Sequence, residues 1–322
     1  MKRLNFFEKI FLMINGVFAL LLLISYLNVY IDPEAFAYLS FLSIIYPFLC
    51  LINLVFCLVW MIKLKLHFLI SLLAILCGFA HINRFISLKQ HTPQKHDRST
   101  KLMSYNVRQF NKYKWIKSNT LKQDISNFIQ TEKPDIIGFQ EYVTKNPINI
   151  HLPYQYTHKK YSSGLAIFSK TKIYNSGYID FEKTSNNIIY VDVKINHKLT
   201  RVYNVHLQSF HINMKDDYLN KNKLQKLYLF MMSIFKKQSH QIKTLKKHIE
   251  KCPYPSIVMG DFNSTAFSWN YKQFIPQFKD AFVEKGTGIG KSFRFPFPLR
   301  IDYFFVDKSI EITNYKTYPI NL

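Results

Sequence analysis

Three long stretches of this 322-residue chain contain no Asp, Glu, Lys or Arg: 10–30, 35–62 and 66–83. Charge that scarce excludes an ordinary water-facing surface. Each stretch is also long enough to cross a hydrocarbon core, which takes roughly 17–25 apolar residues as a helix. Cysteine is sparse as well. Three of the four (Cys50, Cys57, Cys77) lie in the apolar stretches, and Cys252 is alone in the remainder. That excludes a disulfide within the remainder and any paired Cys-x-x-Cys zinc site. Acidic residues are in deficit, 20 against 43 Lys and Arg, for a formal charge of +23.

The apolar stretches predict a three-helix transmembrane anchor over 1–90, with helices at about 10–30, 36–62 and 66–83. A secretory signal would be a single short apolar core before a small-residue cleavage site, and here two further runs follow the first. Lys2, Arg3 and Lys9 precede the first run, Asp32 and Glu34 follow it, and Lys63 and Lys65 separate the second from the third. Basic flanks stay in the cytoplasm. An odd number of spans then places everything after Arg84 outside, which is the periplasmic face of the inner membrane in a Gram-negative cell. The polar, Pro-containing segment 91–100 reads as a linker.

From 84 to the end the composition is an ordinary mixture with 38 Lys and Arg against 17 Asp and Glu. So large a basic excess suits anionic partners, nucleic acid or lipid headgroups, though lysines spread over a solvated face would read the same way. Lys236, Lys237, Lys243, Lys246, Lys247 and Lys251 accompany Ile242, Leu245 and Ile249 at helical spacing, which predicts an amphipathic helix with a basic outer face. Strand-like runs occur at 101–107, 134–141, 165–168, 188–195, 200–207, 256–263 and 300–306, with a helical pattern at 119–131. Several of these apolar runs end in a carboxylate, amide or imidazole. Such groups are costly to bury unpaired, so they should converge on a ligand or on one another.

Six motifs in order carry a resemblance. They are Tyr105-Asn106, Gln140-Glu141, the run Ser163-Gly164-Leu165-Ala166-Ile167-Phe168-Ser169, Asn204-Val205-His206-Leu207, Gly260-Asp261-Phe262-Asn263 and Arg300-Ile301-Asp302-Tyr303. With these the chain from 101 to 322 resembles the endonuclease/exonuclease/phosphatase superfamily. The resemblance implies an α/β fold, a four-layer sandwich of two packed β-sheets flanked by helices. It also implies metal-dependent hydrolysis of a phosphodiester, with Mg²⁺ as the cofactor and Mn²⁺ able to serve.

By that resemblance Glu141 is the metal ligand, supported by Asn106, which also touches substrate. A hard cation that keeps several waters needs only one or two protein carboxylates. Asp261 orients and activates the attacking water, while Asn263, His206 and Asn204 hold the phosphate. Asp302 matches the residue that orients a catalytic histidine in a closing Ser-Asp-His motif. Lys316 to Leu322 reach that point without one. The expectation is therefore a domain lacking its last strand. The alternative to a working hydrolase is a membrane-tethered phosphate-ester binding protein with impaired catalysis. The segments 145–162 and 210–237 read as loops that would select the substrate, nucleic acid or phospholipid headgroup, and no protein partner is inferable.

Overall fold

The computed structural model describes residues 4–87, 89, 99–114, 116–145, 148–210, 221–294 and 298–318. Most of the expected linker lies outside them. The chain forms two compact units, and they are interleaved in sequence. Met1–Ile86 associates with Thr265–Gln273 and the described part of 217–239, while the second unit takes the rest. Two downstream segments thus fold with the N-terminal helices.

In the first unit α1 (Phe6–Leu27) starts in a capping box. The Glu8 N–H donates to Asn5 Oδ1 at 2.8 Å and the Asn5 N–H to Glu8 Oε2 at 3.1 Å. Next come α2 (Ser40–Ile62) and α3 (Phe68–Cys77). The apolar stretches Phe6–Tyr30 and Pro33–Ile62 are long enough to cross a membrane. The third expected span is broken. It stops at Gly78, and only the short turn Phe79–Ile82 follows. A Cβ at Gly78 would sit 2.2 Å from the Tyr26 hydroxyl, which donates to Ala74 O at 2.9 Å, so the chain trades helix continuity for close packing.

This bundle turns its polar groups inward. Asn15 Nδ2 donates to Ser71 Oγ at 2.6 Å, Ser71 to Asn53 Oδ1 at 3.0 Å, and Trp60 Nε1 to Asn15 Oδ1 at 3.0 Å, all fully buried. Met13, Val17, Leu20, Leu51, Val55 and Leu73 face outward and are about half exposed or more. Lys63 pairs with Glu8 at 3.4 Å at one end. At the other end Asn28 Nδ2 donates to Phe267 O at 3.0 Å, Thr265 Oγ1 to Ser43 O at 2.9 Å, and Arg84 Nη1 to Ala266 O at 3.5 Å.

The second unit opens with β1 (Leu102–Asn106), α4 (Leu121–Glu132), β2 (Ile136–Tyr142), β3 (Tyr154–Lys160) and β4 (Ser163–Ser169). It continues with β5 (Ile173–Asp180), β6 (Asn187–Ile195) and β7 (Lys198–His206). Then follow α5 (Lys221–Glu250), whose first part belongs to the first unit, β8 (Ser256–Asp261), β9 (Phe278–Asp280) and β10 (Asp302–Asp307). One sheet has the order β1-β2-β4-β3 and the other β9-β10-β8-β7-β6-β5. Only β1–β2 and β7–β8 are parallel pairs within these two sheets.

Alternation assigns the faces. Ile136, Leu165 and Ile167 of the first sheet pack against Ile189, Val191, Val193, Val202, Ile257 and Met259 of the second. The outer face of the first sheet (Met103, Ile137, Phe139, Phe168) takes Leu121, Ile125 and Ile129 of α4. On the second sheet Tyr203 meets His248 of α5, hydroxyl to Nδ1 at 2.9 Å. Helix, sheet, sheet, helix is the expected layering for this unit. Two segments read as loops contain regular structure: β3 lies within 145–162, and residues 221–237 are helical. Residues 211–220 lie outside the described set.

Candidate active site

The strand register gathers the site. Asn187 is opposite His206, His206 opposite Asp261, and Asp261 opposite Asp302, forming one row across β6, β7, β8 and β10. Paired residues share a face. Because Ile189 and Met259, two positions along their strands, lie in the inter-sheet core, the row lies on the inner face. Gly260 lets β8 approach β7 this closely. Its φ is +137°, and a Cβ there would fall 2.1 Å from Val205 O.

Across the sandwich Asn106 pairs with Gln140 at the end of β1. The register of β2 then shifts between Phe139 and Tyr142, and Glu141 takes φ 52°. A bulge of this kind re-aims a side chain. It brings Glu141 Oε1 to 3.2 Å from Asn106 Nδ2, which also donates to Asp261 Oδ2 at 3.0 Å. One amide therefore ties a carboxylate of each sheet together. The Asn106 amide oxygen accepts from the Arg108 N–H at 3.1 Å.

Asp261 Oδ1 accepts from the Asn263 N–H at 2.9 Å, and Asn263 Nδ2 donates to Leu207 O at 3.0 Å. The Asp-x-Asn motif is thus a turn that fixes both side chains beside His206. His206 is 9% exposed, and its Nε2 is buried with no hydrogen-bond partner among the described residues. Asn204 lies beneath the row, wholly buried. Its Nδ2 donates to Phe139 O at 2.9 Å and Ala166 O at 3.1 Å, and its Oδ1 accepts from Gln140 Nε2 at 2.6 Å. These bonds knit the two sheets together under the site.

Electrostatics follow from crowding. Burial raises the Asp261 carboxyl, the nearby Glu141 raises it further, and His206 and the Asn106 bond pull it down. Asp302 is held well above the ordinary carboxylate range by burial and then by the Asp261 charge. Ser292 and Arg108 partly offset this.

Two participants were missed from sequence. Gln140 was noted only as the residue before Glu141, yet its amide bridges Ser104 and Asn204. Arg108 was not singled out. It opens a left-handed turn, Arg108 to Asn111, with φ of 42°, 54°, 53° and 61°. Left-handed backbone costs roughly 1–2 kcal/mol per non-glycine residue, and nothing in the residue types signals it.

Among the described residues no three His, Cys, Asp or Glu side chains cluster as a full metal-ligand set. The donor chemistry nonetheless fits a hard cation. Glu141 and Asp261 are bridged by one amide, Asp302 repels Asp261, and Asn106, Glu141 and Asp302 are partly exposed. Carboxylates gathered this way favour a cation that takes one or two protein oxygens and keeps its waters.

Comparison with known proteins fits this geometry. The model of the Endonuclease/Exonuclease/phosphatase family matches residues 103–322, and a domain of unknown function matches 8–85. A search of curated proteins finds no match. Similar solved structures include D. rerio TDP2 complexed with single-strand DNA product (16% identity, TM-score 0.48, 66% of this chain and 86% of that one). Others are the human Nocturnin catalytic domain (17%, 0.47, 65% and 82%) and Bacteroides thetaiotaomicron mannosyl-6-phosphatase Bt3783 (18%, 0.46, 66% and 86%). With the family model covering more than half of its length, the chain belongs to the endonuclease/exonuclease/phosphatase family.

Proposed function

We propose that the chain is a metal-dependent phosphodiester hydrolase tethered to a membrane, acting on nucleic acid or a phospholipid headgroup. The observation that carries this is the convergence of His206, Asp261 and Asp302 from one sheet on Asn106 and Glu141 from the other. Glu141 would hold Mg²⁺, or Mn²⁺ in its place, with the second lone pair of the Asn106 amide oxygen beside it. The bound cation would neutralise charge on the phosphoryl oxygens.

The chain's own groups supply the rest. Asp261, fixed by the Asn106 and Asn263 bonds, orients the attacking water and accepts its proton. His206 donates from Nε2 to a phosphoryl oxygen, and the Asn263 amide holds another. Asn204 sets the height of this floor through its bonds to both sheets. Asp302 would stand beside the leaving oxygen, which takes its proton from water.

The outward apolar faces of α1 and α2 support tethering, since a patch this large is not stable in water. We read three passages. The third apolar segment begins at the end where Lys63 meets Glu8 and finishes at Arg84 beside Ala266, at the opposite end. With Lys9, Lys63 and Lys65 on the cytoplasmic side, Thr265–Gln273 and the domain that carries it are extracytoplasmic. Protease added to spheroplasts should then cut the domain; protection would overturn that placement.

The activity test is a substrate panel (DNA, RNA, sphingomyelin, phosphoinositides) with the full chain in detergent, with Mg²⁺ against EDTA. Chelation should abolish hydrolysis, and Glu141→Gln and Asp261→Asn should each lower it at least ~10²-fold. Full rate in both variants sinks the assignment.

A further inference from the structure

The first part of α5 packs entirely within the first unit, and its partners are confined to one end of the helical bundle. Tyr228 stacks on Phe41 (centroids 5.0 Å, 14° between planes) and meets Tyr38 at 5.8 Å. Phe235 meets Phe41 at 5.2 Å, and Ser239 Oγ donates to Asp32 Oδ1 at 2.5 Å. Asp32, Tyr38 and Phe41 all belong to the connection between α1 and α2 or to the first turn of α2. A helix reaching all three from 228 to 239 covers roughly 16 Å. It therefore lies across the end of the bundle, not along its side.

The sequence of that helix points one stripe at the bundle. Leu224, Tyr228, Met231 and Phe235 recur at helical spacing, and Tyr228 and Met231 are half-buried while Phe235 is buried. Leu224 lies on the same stripe, one turn beyond Tyr228, and is 55% exposed. Lys223 beside it is exposed, and Lys226 and Ser233 are exposed on the opposite side. The same end carries exposed Tyr30, Phe36 and Tyr38, with the Lys272 ammonium 5.5 Å over the Tyr30 ring. Aromatic rings with adjacent lysines are the side chains that settle at headgroup depth.

We propose that residues 221–239 form an interfacial helix docked on the headgroup layer of the bilayer that α1 and α2 cross. Leu224 enters the acyl boundary, Lys223 reaches anionic phosphates, and Lys226 and Ser233 face water. The occupant follows from continuity with the spans and from charge. A bilayer surrounding the bundle must begin where the protein beneath α5 ends. Lys223 beside Leu224, with Lys272 over Tyr30 at the same end, complements anionic lipid. The inference rests on the membrane reading above.

The test uses the full chain in vesicles of phosphatidylcholine with or without phosphatidylglycerol. An environment-sensitive fluorescent amino acid is placed at Leu224 or at Ser233. The expected result at Leu224 is blue-shifted emission, quenched by about half with lipid brominated near the headgroup. At Ser233 emission stays aqueous and is quenched by iodide. Aqueous emission at both positions overturns the docking, and lipid quenching at both overturns the orientation. Lys223→Glu should abolish the difference between the two vesicle types at Leu224, and Lys226→Glu should leave it; a difference that survives Lys223→Glu removes that lysine from the contact. Extraction of the wild-type chain by carbonate, without detergent, marks failure of the membrane reading itself. Resistance to carbonate with an aqueous probe condemns only the docking.

Discussion

Asp261 and Asp302 stand directly opposite one another on antiparallel β8 and β10, two carboxylates on the inner face of one sheet. Burial and the Asp261 charge hold the Asp302 carboxyl above its ordinary pKa. An acid whose pKa is raised by folding favours the fold fully below its unfolded pKa, about 4 for Asp, and loses that contribution as pH rises through the folded value. Asp302→Asn should therefore raise the melting temperature of the metal-free protein at neutral pH by roughly 2–4 °C. The gain should vanish below about pH 4 and shrink when Mg²⁺ is added. Thermal melts in detergent across that pH range check it, and a gain that persists in acid would show that repulsion is not the cause.

Asn106 is the only described side chain that bonds carboxylates from both sheets. Asn106→Ala leaves Glu141 and Asp261 facing each other without the shared donor. Hydrolysis should fall about 10²-fold, and the Mg²⁺ concentration for half-maximal rate should rise. A titration that shows lower rate at unchanged Mg²⁺ dependence would confine Asn106 to positioning substrate.

At Gly260 a side chain is excluded twice over, by φ of +137° and by Val205 O. Gly260→Ala should cost more than about 2 kcal/mol and displace Asp261 with the strand end. Circular dichroism melts measure the first effect, and loss of activity in whatever protein stays folded measures the second. An active variant with wild-type stability would mean that β8 and β7 part more easily than this contact implies.

Glycine and carboxylates at strand ends are what made the site readable in advance. Gly260-Asp261-Phe262-Asn263 and Ile301-Asp302 each put an acid after apolar residues, so their convergence followed from the cost of burying charge. Arg108 and Gln140 escaped because their roles depend on a left-handed turn and on an amide bridge to Asn204, and neither has a local residue signature. The layering of the sandwich came with the family resemblance that the six motifs carry, and alternation along the strands agrees with it. The helical start of α5 was not legible, since Tyr228 and Phe235 are apolar for the sake of partners about 190 residues away in sequence. The break at Gly78 was hidden for the same reason, as its cause is Tyr26.

Arg201 and Asp192 form a two-pronged ion pair at 2.6 and 2.7 Å on the outer face of the second sheet, with the guanidinium 4.2 Å over the Tyr190 ring. Breaking one side leaves the other charge buried, so Arg201→Met should cost roughly 3–5 kcal/mol. Replacing both, Arg201→Met with Asp192→Leu, should recover most of that loss. Denaturant melts of the four-member cycle test it; equal losses in the single and double variants would mean that the pair, not the stranded charge, supplies the stability.

Asn53 closes a polar circuit in the helical bundle. It donates to Phe18 O at 3.1 Å and Leu49 O at 2.9 Å, and it accepts from Ser71, which in turn accepts from Asn15. In the membrane setting proposed above, lipid offers no competing hydrogen bonds, and the outward faces of these helices are as apolar as lipid tails. Packing and this circuit must therefore hold α1, α2 and α3 in register. Asn53→Leu removes three of its bonds and leaves the Ser71 hydroxyl without its acceptor, a loss of about 0.6–2 kcal/mol. The expected signs are a lower melting temperature in mild detergent and faster tryptic cleavage at Lys63 and Lys65, the connection between α2 and α3. Because Asn15 and Asn53 share Ser71, Asn15→Leu added to Asn53→Leu should cost less than the two single losses together. Simple additivity would show that each asparagine acts alone.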